Sequence, residues 1–123
     1  MNVTGVIDGV ADALNAAGLY VAKNRNEHVA GFPAAILSVD SIVPTAWGAN
    51  EMTLTVTVLA SKADRVDAWE RMYSLLDNNV VLDALNQADP VTGVVNIDNI
   101  GADVEYNDGV ALGFTVSCTA YGD

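Results

Sequence analysis

Residues 51–60 read EMTLTVTVLA and contain the clearest strand pattern in the sequence. Polar and apolar residues alternate from Glu51 to Val58, which is the period of two typical of a strand with one buried face. The polar positions after Glu51 are the threonines Thr53, Thr55 and Thr57 rather than charged residues. Such a face suits a surface that is partly covered or that meets a neighbour. We therefore take the three threonines as candidate protein-interface residues.

The triplet Asn107-Asp108-Gly109 indicates a hairpin between two further strands, Val94–Tyr106 and Val110–Tyr121. Asn, Asp and Gly tolerate the positive φ angles that tight turns require. The second of these strands alternates regularly, whereas the first changes its apolar parity partway along. That change predicts a bulge or a break near Asn99.

Helical periodicity and turn residues account for the remaining segments. Helices are predicted over residues 3–17, 65–76 and 80–88, and strands over residues 19–22 and 34–43. The order of these elements predicts a single α+β domain over residues 1–123. Its sheet is expected to be mostly antiparallel or mixed, with the helices packed on one face.

The chain is strongly acidic, because 16 Asp and Glu residues outnumber 5 Lys and Arg residues and give a net charge of −11. Affinity for phosphates comes from clustered Lys and Arg, so we expect no free-standing nucleic-acid binder. From Asp89 to the end of the sequence there is no Lys or Arg at all. This segment either provides solubility or forms a surface that repels a polyanion or attracts a basic partner.

Composition also bounds the class of protein and its compartment. A hydrophobic fraction of 51% excludes a disordered segment. The single cysteine, Cys118, allows no internal disulfide, and the first residues lack the basic region of a signal peptide. No run approaches 18 uncharged apolar residues, so no membrane span is expected. A cytoplasmic origin is the expectation that follows.

Residue types that carry chemistry are few and isolated. His28 is the one histidine, and it lies in a polar segment with no second histidine to share a metal. Cys118 lies in the apolar alternation of a strand, where a thiol packs rather than reacts. The carboxylates between Asp98 and Asp108 lack the spacing of a calcium-binding loop. We therefore predict no catalytic residue, no cofactor and no metal, and we expect that the protein is not an enzyme.

Trp47 lies in a loop segment between two predicted strands. An aromatic residue at such a position either completes the edge of a core or anchors an interface. We include Trp47 among the candidate residues for a contact with another subunit or a partner.

The order of the segments, taken together, resembles a known family. The segments that carry the likeness are Val6–Leu14, Pro33–Leu37, Met52–Leu59 and Asp64–Met72, followed by a last strand that ends GFTVSCTA at residues 113–120. They resemble the tail terminator proteins of long-tailed, siphovirus-type bacteriophages, particularly those of actinobacterial phages. The resemblance covers nearly the whole chain. It is one of order, length and texture without a shared motif, so it carries over no site residue.

The resemblance implies a homohexameric ring that stops polymerisation of the tail tube and presents a surface to the head-completion complex. Its subunits would be virion proteins at the tail–neck junction, assembled in the host cytoplasm. The sheet would line or support the lumen, and the helices would face outward. Six copies at −11 each carry −66, and such an anionic wall would let DNA pass without specific binding. We accordingly expect Asp103, Glu105 and Asp108 to lie near the lumen.

Two other assignments stay open. Another neck component, such as a head-closure or tail-completion protein, shares much of the same layout. A small acidic ligand-binding domain would instead behave as a monomer or dimer and would require polar groups that converge in one pocket.

Overall fold

The computed structural model describes residues 3–44, 50–61, 65–107 and 109–122. In these ranges the chain forms three helices and five strands, and the ends of the predicted elements are displaced by one to three residues at most. In chain order the elements are α1 (Val3–Ala16), β1 (Tyr20–Ala22), β2 (Ala34–Pro44), β3 (Asn50–Ser61), α2 (Arg65–Asp77), α3 (Val80–Gln87), β4 (Val91–Tyr106) and β5 (Gly109–Gly122).

The five strands form one sheet in the order β1-β2-β3-β5-β4. The short strand β1 pairs with β2 in parallel, and every other pair is antiparallel. The strands β4 and β5 are joined by the predicted hairpin, with Tyr106 opposite Gly109. The prediction of an α+β fold with a mostly antiparallel sheet is confirmed, and β1 makes the sheet mixed.

All three helices pack on the same face of the sheet. Val10 and Leu14 of α1, Met72 of α2 and Leu85 of α3 are fully buried in one cluster with the apolar positions of β3 and β5. Phe114 is the largest of the fully buried side chains. Burying apolar side chains of this size contributes about 1.5–3 kcal/mol each relative to leaving them exposed, so this layer supplies the main stabilisation of the domain.

A second, smaller core lies on the opposite face, at the end of the sheet where β2 begins. Its buried members are Ala22, Ala34, Ile36, Leu59 and Ala111, which come from four strands. The segment 23–33 between β1 and β2 covers them with Val29 and Phe32. This core was not predicted, because it is made mostly of alanines scattered among four strands and has no periodic pattern of its own.

The bulge predicted near Asn99 is present in β4. The pairing with β5 shifts register between Asp98 and Ala102, and Asn99 and Gly101 have φ angles of 55° and 84°. A side chain at Gly101 would collide with the indole ring of Trp69, so this position requires glycine for both its φ angle and its space. The bulge therefore makes room for the indole ring of Trp69, which reaches from α2 to the edge strand.

No helix in the described ranges is long and apolar enough to cross a membrane.

Replacing Gly113 by alanine is expected to destabilise the domain. Gly113 lies in the central strand β5, and a Cβ atom there would collide with the carbonyl oxygen of Val58 on the neighbouring strand. Overpacking of this kind costs about 1–3 kcal/mol or more. Gly93→Ala is the matched control, because nothing lies within 4 Å of a Cβ at that position. Urea unfolding of both variants measures the difference, and equal stabilities would contradict the register of β3 on β5.

Candidate functional site

The sheet face opposite the helices carries a group of hydroxyl side chains on its three inner strands. They are Ser38 of β2, the three threonines of β3, and Thr115, Ser117 and Thr119 of β5, here called the hydroxyl face. Each of these side chains is partly buried. In the part of the chain that the structure describes, no helix covers this face.

The register of β3 on β5 places these hydroxyls opposite one another. Thr53 pairs with Thr119, Thr55 with Ser117, and Thr57 with Thr115. Side chains directly opposite across two antiparallel strands have Cβ atoms about 4.5–5.5 Å apart, so the pairs form a regular array. Threonine is stiff at χ1, which keeps the array ordered at little entropic cost.

Two hydroxyls of the face, those of Thr115 and Thr119, are engaged in hydrogen bonds with the edge strand β4. The hydroxyls of Thr92 and Thr119 lie 2.9 Å apart. The side-chain amide of Asn99 donates a hydrogen bond to Thr115 Oγ1 over 3.1 Å. The Thr115 hydroxyl in turn donates to the carbonyl of Asp98 over 3.2 Å. Thr55, Thr115 and Thr119 are thus bonded within one copy, whereas the other hydroxyls of the face can still donate to and accept from a neighbour that covers them.

Two carboxylates border the hydroxyl face toward the end of the sheet where β3 begins. Asp40, at a bulge in β2, accepts a hydrogen bond from the Thr55 hydroxyl. Glu51 accepts one from the hydroxyl of Tyr121 over 3.4 Å. Glu51 brings negative charge to the rim of the face, and Asp40 brings it into contact with Thr55 in the middle of β3.

The structure brings some of the predicted residues together and separates others. Thr53, Thr55 and Thr57 lie side by side on the hydroxyl face, and they are joined there by residues of β5 that sequence reasoning did not select. The signal for those residues was present, because the polar positions of β5 alternate as those of β3 do. The missing information was the pairing of β3 with β5, two strands separated along the chain by α2, α3 and β4.

Asp103 and Glu105 lie on the other side of β4. Val104 and Tyr106 pack against the small core on the same side as the hydroxyl face, and alternation along the strand directs Asp103 and Glu105 away from it. Both carboxylates are exposed. They therefore do not share a surface with the predicted threonines. Trp47 and Asp108, the other two predicted residues, lie outside the described residues.

The residues with reactive side chains remain apart in the fold. His28 is exposed on the segment 23–33, and Cys118 is fully buried on the helix-bearing side of β5. Burial raises the pKa of the Cys118 thiol to about 11, which keeps it protonated and unreactive near neutral pH. Within the described ranges there is no group of three or more His, Cys, Asp or Glu residues that could hold a metal ion.

Comparison with models of known protein families and with characterised protein sequences finds no match.

The reactivity of Cys118 should report whether the sheet is intact. In the folded protein at pH 8, a thiol with a pKa of about 11 is ionised in roughly one molecule in a thousand, and it is also shielded from reagents. We expect that a chromogenic disulfide reagent leaves the native thiol unlabelled over the time in which it fully labels the protein unfolded in guanidinium. Labelling of the native protein at the rate of the unfolded chain would contradict burial of β5.

Proposed function

We propose that the chain is the structural subunit of a phage tail terminator. In this proposal, copies assemble into a homomeric ring, most simply a hexamer, that caps the tail tube, ends its polymerisation and joins it to the head–neck complex. The protein acts by shape and charge and catalyses no reaction. The support comes from the resemblance of the segment order and from the uncovered hydroxyl face.

The observation that carries the proposal is that, within the described ranges, helices cover one face of the sheet and leave the other without a helix. The hydroxyl face is half-buried and lined mostly by uncharged side chains, and among the described residues the segment 23–33 covers its end near the small core. Charged residues are depleted at the core of protein interfaces, because their desolvation is costly. A hydroxyl array avoids this cost, so the face suits repeated contact with a second copy.

The charge of the chain supports the second part of the proposal, passage of DNA. Asp103 and Glu105 lie near the β4–β5 hairpin, where Val110, a neighbour on the same side of the sheet, is 49% exposed. The hairpin therefore extends past the layer of helices. Because the helix-bearing side would face outward, these carboxylates reach the lumen of the proposed ring only through the tip of the hairpin, where they would repel phosphates so that the nucleic acid passes without being held.

A different neck component is the main alternative. A head-closure or tail-completion protein would use the same one-sided sheet and the same acidity, and it differs in where it sits, because a terminator contacts the last ring of the tail tube. A small ligand-binding domain is favoured less. The cavity between α2, α3 and the sheet has a volume of only about 10 Å³, and the grooves beside Arg71 and beside Arg25 measure about 210 Å³ each. These volumes are below the roughly 300–1,000 Å³ typical of small-molecule sites.

Imaging of the purified protein with the tail tube protein of the same phage tests the proposal. We expect closed rings by negative-stain electron microscopy, seated on tube ends and limiting tube length. Ser117→Lys places a charge on the hydroxyl face in β5, two strands away from Asp40, and should abolish ring formation. Asn86→Lys is the matched control. It adds the same charge to the exposed surface of α3 and should leave ring formation intact.

Circular dichroism and thermal unfolding should show both variants folded, so that loss of rings reports on the interface and not on the subunit. Tubes that grow to the same length with and without the protein would contradict a terminator role. Retention of duplex DNA by the protein at physiological salt would contradict passage through an anionic lumen.

A further inference from the structure

We propose that a groove beside Arg25 receives a carboxylate side chain from a second copy of this chain. The inference rests on the ring proposal and adds to it a specific point of contact between neighbouring subunits. Arg25 supplies the charge, and the walls of the groove supply a partly dry environment.

The groove lies between the segment 23–33 and the sheet, on the side of the hydroxyl face, and has a volume of about 210 Å³. Ile36 and Val104 form apolar walls, and Thr57 extends the hydroxyl face into it. Tyr106 completes the lining, with its ring held edge-on against Phe32 at a centroid distance of 6.0 Å. The walls of the groove therefore belong to the small core and are ordered before any partner arrives.

The backbone that carries Arg25 is braced on both sides. The side-chain oxygen of Asn24 accepts a hydrogen bond from the backbone amide of Asn26 over 2.9 Å. The backbone amide of Lys23 donates a hydrogen bond to Glu27 Oε2 over 3.2 Å. Lys23 is also tied to α1, because its ammonium group lies 2.8 Å from Asp8 Oδ1. The turn that carries Arg25 is thus held by two hydrogen bonds of its own and by one ion pair to α1.

Arg25 is the cation of this turn that has no ion-pair partner among the described residues. The ammonium of Lys23 is neutralised by Asp8, which raises the lysine pKa, and the carboxylate of Glu27 accepts a hydrogen bond from the backbone amide of Lys23. Among the described residues, no hydrogen bond or ion pair engages the guanidinium of Arg25. Glu105 also lines the groove, but alternation along β4 directs its side chain to the opposite side of the sheet.

The net charge identifies the occupant as a second copy. Copies that each carry −11 repel one another, so a stable contact between them needs a cation facing a carboxylate of the neighbour. Each copy offers 16 carboxylates and only five cations, and Lys23 is already paired. A guanidinium binds a carboxylate through two parallel hydrogen bonds, and the apolar walls strengthen that pair by excluding water. The groove is continuous with the proposed interface through Thr57.

Sedimentation equilibrium of the whole protein tests this contact. We expect that the Arg25→Ala variant self-associates roughly tenfold or more weakly than the wild-type chain, because the substitution leaves a neighbour's carboxylate unpaired in the interface. Arg25→Lys should be intermediate, because it keeps the charge and loses the two-pronged geometry. Arg71→Ala is the matched control, because it changes the net charge equally from an exposed position on α2, on the helix-bearing side.

The outcomes separate this inference from the ring proposal. If the Arg25→Ala variant forms rings as readily as the wild-type protein does, the groove contact is overturned and the ring proposal is unaffected. If Arg25→Ala and Arg71→Ala weaken self-association equally, the change in net charge alone explains the effect, and the groove contact is also overturned. Absence of self-association by the wild-type chain, both alone and on tail tube ends, would overturn the ring and the groove contact together.

Discussion

One strict alternation of side chains in the two central strands determines the rest of this molecule. From Met52 to Val58 in β3 and from Leu112 to Ala120 in β5, every second residue is apolar and buried under helices, and the residues between them are mostly hydroxyl-bearing and face away. A sheet of this kind must be covered on its apolar face and gains little from cover on the other. Three helices meet the first requirement, and among the described residues no helix occupies the second face. The proposed assembly and the groove contact both depend on that second face.

Local patterns predicted the elements well, because the patterns that define them are themselves local. The alternation of residues 51–58 and the turn residues 107–109 each specify a structure within a few residues. Even the bulge in β4 was visible, since a change of parity along one strand requires an extra residue. Pairings between distant segments were not visible in this way. The contact of β3 with β5 and the alanine-rich second core both arise from tertiary proximity, which no periodicity records.

The candidate site was predictable to the same extent and for the same reason. Alternation identified the threonines of β3 as one face, but it does not say which strand lies beside them. The carboxylates of β4 were selected by charge alone, and their side of the sheet relative to the threonines depends on a bulge whose length the sequence does not specify. Arg25 carried no signal as a lone cation in a polar segment. Arg25 became a candidate only because its segment folds over Ile36 and Tyr106, and Tyr106 is distant from it in the sequence.

A hydroxyl face also has a consequence for when a ring can form. Apolar interfaces associate strongly wherever two copies meet, because each square ångström removed from water contributes about 25 cal/mol. Hydroxyls that are already bonded within one copy, such as Thr115 and Thr119, gain little from a neighbour. In the proposed ring, acidic copies repel one another, so their self-association in free solution is weak and becomes strong where additional contacts offset that repulsion. In the proposed function those contacts come from the end of a finished tail tube, so weak self-association would confine ring formation to the place where a terminator is needed.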